Sequence, residues 1–157
     1  MQYSDQIANA IMAYLTEQGW VYDADMVHGT IAVEADLSCR LGSAMVVYQV
    51  QEEGFLCYTA LPVDAAPAVR AQVGEYLHRA NFGLPRGNFE FSYDDGSVQY
   101  KTGFDCPDGV PTPKQLEDSL AIGLTVVDHY GDGLLNMIGT GETLAQKLIT
   151  ELDRVEA

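Results

Sequence analysis

Basic side chains are scarce in this chain: eight Lys and Arg stand against 23 Asp and Glu in 157 residues, a formal net charge of -15. A surface that negative repels phosphate backbones and anionic lipid headgroups, which excludes nucleic acid and membrane surfaces as general partners. The field suits a solvated acidic surface that maintains solubility, and it also suits a surface that steers in a basic protein or peptide. Salt separates the two, because steered binding weakens as ionic strength rises.

Cysteine is scarce as well. Cys39, Cys57 and Cys106 are widely spaced and form no Cys-x-x-Cys pair, which excludes a disulfide framework and suits a reducing compartment. His28, His78 and His129 form no ligand pair of the His-x-x-x-His kind, so zinc has no support. No apolar run approaches the roughly 20 residues of a membrane span, and Met1-Gln2-Tyr3-Ser4-Asp5-Gln6 lacks the features of a secretory leader. A cytoplasmic location is expected. The Gly-x-Ser-x-Gly, phosphate-loop and dinucleotide-binding patterns are all missing, and no cofactor is expected.

What is present describes a foldable chain. Hydrophobic residues make up 47% and aromatics 10%, and about 150 residues bury about 70% of the unfolded surface, so a single domain over residues 1–157 holds a real core. Ile7, Ile11, Tyr14 and Leu15 recur at helical spacing between a Ser4 cap and a Gly19 stop. From Trp20 the period becomes two. Thr30 to Leu37 alternates cleanly, and Val21 to Val27 is an optional short strand beside the three main ones. Ala44 to Gln51 and Phe55 to Leu61 are Val-, Tyr- and Phe-rich runs flanking a Glu52-Glu53-Gly54 turn.

Asp64 is the expected cap of a second helix with Pro67 in its first turn, the stripe Val69, Val73, Tyr76, Leu77 and Ala80, and a stop at Gly83. A second hairpin follows, in which a two-residue Asp95-Gly96 turn sets Tyr93 against Val98, Phe91 against Tyr100 and Glu90 against Lys101. Thr112-Pro113-Lys114-Gln115 is a capping box. It opens a helix with Leu116, Leu120, Leu124 and Val127 on one face, expected to break or bend at Gly131-Asp132-Gly133. Thr140 then caps a terminal helix bearing Leu144, Leu148, Leu152 and Val155. The order α-β-β-β-α-β-β-α(α), with hairpin connections, predicts an α+β domain of an antiparallel sheet with flanking helices.

Acidic clusters are the candidate chemistry. Asp23 and Asp25 fall on the same side of an early strand and could offer oxygens to a hard cation, although two carboxylates are fewer ligands than calcium or magnesium sites use. Asp94-Asp95-Gly96 is accounted for by the hairpin turn. Asp128-His129-Tyr130-Gly131-Asp132-Gly133 lacks the spacing and distal Glu of a calcium loop. Gly139-Thr140-Gly141 precedes a helix and reads as an interhelix turn. Cys39 beside Arg40, and Cys57 in a strand, are candidate nucleophiles without a recognisable His partner, and read as structural thiols.

From Tyr76 to about Ile138 the chain resembles the YbjN family. The residues that carry this are Tyr76-Leu77, Arg79-Ala80-Asn81, Gly87-Asn88-Phe89-Glu90, Asp95-Gly96, Tyr100-Lys101-Thr102, Asp105 and Asp128-His129-Tyr130 with Gly133. The resemblance implies a fold like that of type III secretion chaperones, frequent homodimerisation, a regulatory role and no established catalytic residues. The expected function is thus a non-enzymatic adaptor or regulator that binds another protein through a sheet face or helical groove. The alternative is a small-ligand or metal-responsive sensor or enzyme using Asp23, Asp25 and a histidine.

Overall fold

A computed structural model describes residues 2–138, so the terminal helix expected from Thr140 and the Gly139-Thr140-Gly141 turn lie outside the described residues. The first helix, α1 (Asp5–Glu17), forms as its periodicity requires. The Ser4 hydroxyl accepts the Ile7 N–H at 3.1 Å, and Ile7, Ala8, Ile11 and Leu15 face inward. Four strands follow, β1 (Tyr22–Asp25), β2 (Thr30–Asp36), β3 (Ser43–Val50) and β4 (Gly54–Asp64). Next come a 3-10 turn (Pro67–Val69), α2 (Arg70–Gly83), β5 (Asn88–Phe91), β6 (Ser97–Asp105) and α3 (Pro113–Ile138).

The strands make one antiparallel sheet in the order β1-β2-β3-β4-β6-β5. The fold is therefore the expected α+β class. The three helices among the described residues pack on one face of the sheet. Alternate strand residues point there: Ile31, Val33 and Ala35, then Val46, Tyr48 and Val50, then Phe55 and Cys57, and Tyr100, Phe104 and Phe89 from the last hairpin. They form two contiguous cores, one under α1 and the start of α3 and the other under α2 and the rest of α3. The polar atoms inside are paired. Tyr48 Oη and Ser119 Oγ lie 2.8 Å apart, and the Cys57 thiol donates to the Ser119 carbonyl at 3.0 Å.

Four local expectations change. Asp64 does not cap α2: β4 runs on to Asp64, and the 3-10 turn and α2 start without a side-chain cap. The strand continues past Leu61 because an irregularity between Ala60 and Asp64 lets it keep contact with β6 around Pro62, which cannot donate a ladder bond. The second hairpin is two residues out of the expected register. Phe91 faces Val98 and Phe89 faces Tyr100, while Glu90 faces Gln99 and reaches Lys101 diagonally.

The wider loop wins because the rest of the protein satisfies it. Arg70 donates to the Tyr93 and Asp94 carbonyls, the Asp95 carboxylate accepts the Ser97 N–H at 2.9 Å, and the Gly96 carbonyl accepts the Ala65 N–H. Gly96 has φ +78°, a conformation that favours glycine. Tyr93 thereby leaves the inner row and is 61% exposed. An even shift leaves every other side chain on its expected face.

Finally, of the break or bend expected at Gly131-Asp132-Gly133 the break does not occur: α3 continues through Leu134 to Ile138, 26 residues in all. The capping box at its start is formed as expected: Gln115 N–H donates to Thr112 Oγ1 at 3.1 Å, and Thr112 N–H donates to Gln115 Oε1 at 3.0 Å. Gly131 serves close approach, since a Cβ there would stand 2.5 Å from Cys39 Sγ and 3.0 Å from Leu41 Cδ1.

Candidate interaction face

The second face of the sheet carries no helix among the described residues. Its centre is apolar, built by cross-strand neighbours on β2, β3 and β4. Ala32 faces Val47 and Val47 faces Tyr58 in one row, and Met45 faces Ala60 in the next, with Leu56 beside Gln49. Met45 is 41% exposed, and the others are half-buried. Neither core cluster includes any of them.

Carboxylates border this strip. Asp23, Asp25, Glu34 and Asp36 lie on the same face along β1 and β2. Lys101 is the one basic residue in any strand among the described residues, and its ammonium donates to Glu90 at 2.8 Å while Gln99 donates to the other carboxylate oxygen at 2.9 Å. The Lys101 bond holds the Glu90 carboxyl below its ordinary range and raises the Lys101 ammonium. The lone cation is thus neutralised by its neighbour. A groove of about 380 Å³ indents the β1 side of the face, lined by Trp20, Val21, Tyr22, Ala32 and Met45 together with the carboxylates of Asp23 and Glu34.

A larger hollow, about 630 Å³, lies along α2 against Glu75, His78, Arg79, Asn81 and Phe82. Its described lining comes from a single helix and, among the described residues, brings no polar groups from a second element, although Phe82 there is 97% exposed.

The sequence candidates separate clearly. Asp23 and Asp25 share a face, as alternation predicts, but they do different things. The Asp25 carboxylate closes the β1–β2 turn, accepting the N–H groups of Val27 at 3.0 Å and His28 at 3.2 Å and meeting the His28 ring at 2.7 Å. That ring contact chiefly holds its carboxyl below the usual range. Asp23 remains exposed in the groove. Among the described residues no three His, Cys, Asp or Glu side chains are grouped to hold a metal ion. His78 is exposed on α2, and the exposed His129 ring stands edge-on to Tyr130 at 4.8 Å.

The Asp128–Asp132 cluster anchors a loop. Asp128 Oδ1 accepts the Ser38 N–H at 2.8 Å and the Cys39 N–H at 3.0 Å, and Asp132 accepts from the Arg40 backbone at 2.8 Å and its Nε at 3.2 Å. The β2–β3 loop is thereby fastened to α3. Burial pushes the Cys57 thiol up to about 12 and raises Cys39 and Cys106, so none is an activated thiolate. Asn81 grips the outer edge of β5, its Oδ1 accepting the Phe89 N–H at 2.6 Å and its Nδ2 donating to the Phe89 carbonyl at 3.1 Å.

Sequence reasoning missed the open apolar strip. The signal was present in Ser43–Val50, where Met45 and Val47 on one side match Ala44, Val46 and Tyr48 on the other. Such a strand reads as covered on both faces, and the described residues cover only one.

No curated protein matches the chain. Among solved structures it is similar to that described as "Crystal structure of YbjN, a putative transcription regulator from E. coli", with a TM-score of 0.58 at 9% identity, covering 80% of this chain and 91% of that one. At this identity the likeness is one of fold. The family model described as "YbjN: Putative bacterial sensory transduction regulator" matches residues 8–136, and the chain belongs to the YbjN family.

Proposed function

We propose that the protein is a non-enzymatic regulatory adaptor that receives another protein on the open face of its sheet. The observation that carries this reading is the apolar strip of Ala32, Val47 and Tyr58, which no described helix covers and which carboxylates border along β1 and β2. Sheets bury an apolar face against a second layer, and here that layer comes from a partner. The regulatory description of the family agrees with it. Strand addition at the edges is the weaker route: Asn81 occupies the backbone of β5, and β1 is four residues long.

We place this adaptor in the cytoplasm as a homodimer that joins through surfaces away from the open face, because two acidic borders repel. Light scattering at low and high salt then gives a mass near twice 17.1 kDa. A photo-crosslinking residue at position 47, compared with one at the exposed Glu117 on α3, tests the adaptor reading in cells. A protein captured from position 47 and mapped to one segment is expected. Equal background from both positions removes the reading.

A further inference from the structure

Resting on that reading, we propose that the occupant of the open face is an amphipathic helix with Lys or Arg along its flanks. Three features point to a helix. The strip lies in the middle of the sheet, where β2, β3 and β4 have neighbours on both sides, so the occupant has no ladder bonds to gain there. An extended segment laid on it would bury its own N–H and C=O groups unpaired, whereas a helix satisfies them internally. The strip also has the right size. It spans two strand spacings from Ala32 to Tyr58, about 10 Å, and four residues from Leu56 to Ala60, about 13 Å. That matches a helix of about 10–12 Å diameter over two to three turns.

Two features set the charge. Asp23 and Glu34 line one groove together with the apolar residues Trp20, Ala32 and Met45. This is the arrangement that takes a Lys or Arg side chain, with its aliphatic stem on the apolar residues and its head on the carboxylates. Lys101, the only strand cation among the described residues, is already held by Glu90, so it does not repel a basic partner. A second copy of this chain, at -15, would bring acid against acid.

The test uses the full chain, labelled with ¹⁵N, and two synthetic helical peptides of about 18 residues (~27 Å). Both carry the same Leu stripe, one with Lys and the other with Glu at its polar positions. The Lys peptide is expected to bind at least about tenfold tighter in low salt and to lose that margin as salt rises. It moves the amide signals of Ala32, Val47 and Tyr58. Val47→Lys abolishes the binding, and Asp23→Asn with Glu34→Gln removes most of the difference between the peptides without touching the apolar strip. Equal binding of the two peptides overturns the proposal, as do shifts confined to other surfaces or face signals that move with protein concentration alone. Capture of an acidic or extended segment at position 47 would sink the helix proposal and leave the adaptor reading standing. Silence in both experiments removes both.

Discussion

Replacing Asp128 with Ala tests whether the acidic cluster in α3 is a structural anchor. The carboxylate accepts two backbone N–H groups from a loop about 90 residues away in sequence, at 2.8 and 3.0 Å. Hydrogen bonds to a charged group are worth about 1.5–3 kcal/mol each when water cannot replace them. Ser38 is exposed and water takes over its N–H at little cost, while Cys39 is half-buried and keeps most of that value. The sum is about 2–3 kcal/mol. For a chain of this size each kcal/mol moves Tm by about 2–4 °C, so a fall of about 4–12 °C is expected by calorimetry. Amide exchange at Ser38 and Cys39 accelerates while exchange in β3 and β4 follows only the global change. A Tm within about 1 °C of the parent, with unchanged exchange at both amides, refutes the reasoning.

Three further outcomes follow from named contacts. The Glu90 carboxyl is lowered by Lys101, so its contribution is present above the unfolded value of 4.5 and is lost as pH falls through the folded one. Glu90→Gln therefore costs under about 1 kcal/mol at pH 7, and urea midpoints of the two proteins converge in acid. A thiol reagent at pH 8 labels the half-exposed Cys39 first and reaches Cys57 and Cys106 only on unfolding, read by mass spectrometry. Gly131→Val forces a side chain against Cys39 and Leu41. It costs about 1–3 kcal/mol and is less than additive with Asp128→Ala, because both release the same loop.

Elements fixed by local pattern were legible in the sequence. The α1 stripe, the Thr112 box and the strand faces depend on residues within a few positions of one another. Decisions made by distant groups were not legible. The hairpin register is set by Arg70, 23 and 24 positions from the carbonyls it binds. The continuity of α3 through Gly131 reflects the close packing of the β2–β3 loop, which no helical propensity encodes. Asp25 and Asp128 were recognisable as clustered acids, but the amides they bind emerge only in the fold. The site itself was half legible: the acid was counted, and its position along β1 and β2 beside an apolar strip that no described helix covers required the sheet.

That position gives the net charge a direction. Screening in the cell cuts off charge interactions beyond about 8 Å, so a uniform acidic shell would act only as a solubilising layer. On the open face Asp23, Glu34 and Asp36 lie along neighbouring strands beside Ala32 and Met45, so a cation arriving there meets carboxylates and apolar surface together. Neither alone selects a partner strongly. Acid alone attracts any basic protein and releases it in salt, and an apolar strip alone accepts any hydrophobic segment. A ligand must present both chemistries at matching spacing to gain from both. Removing the carboxylates while keeping the strip should therefore lower selectivity between basic and acidic ligands more than it lowers affinity for apolar ones.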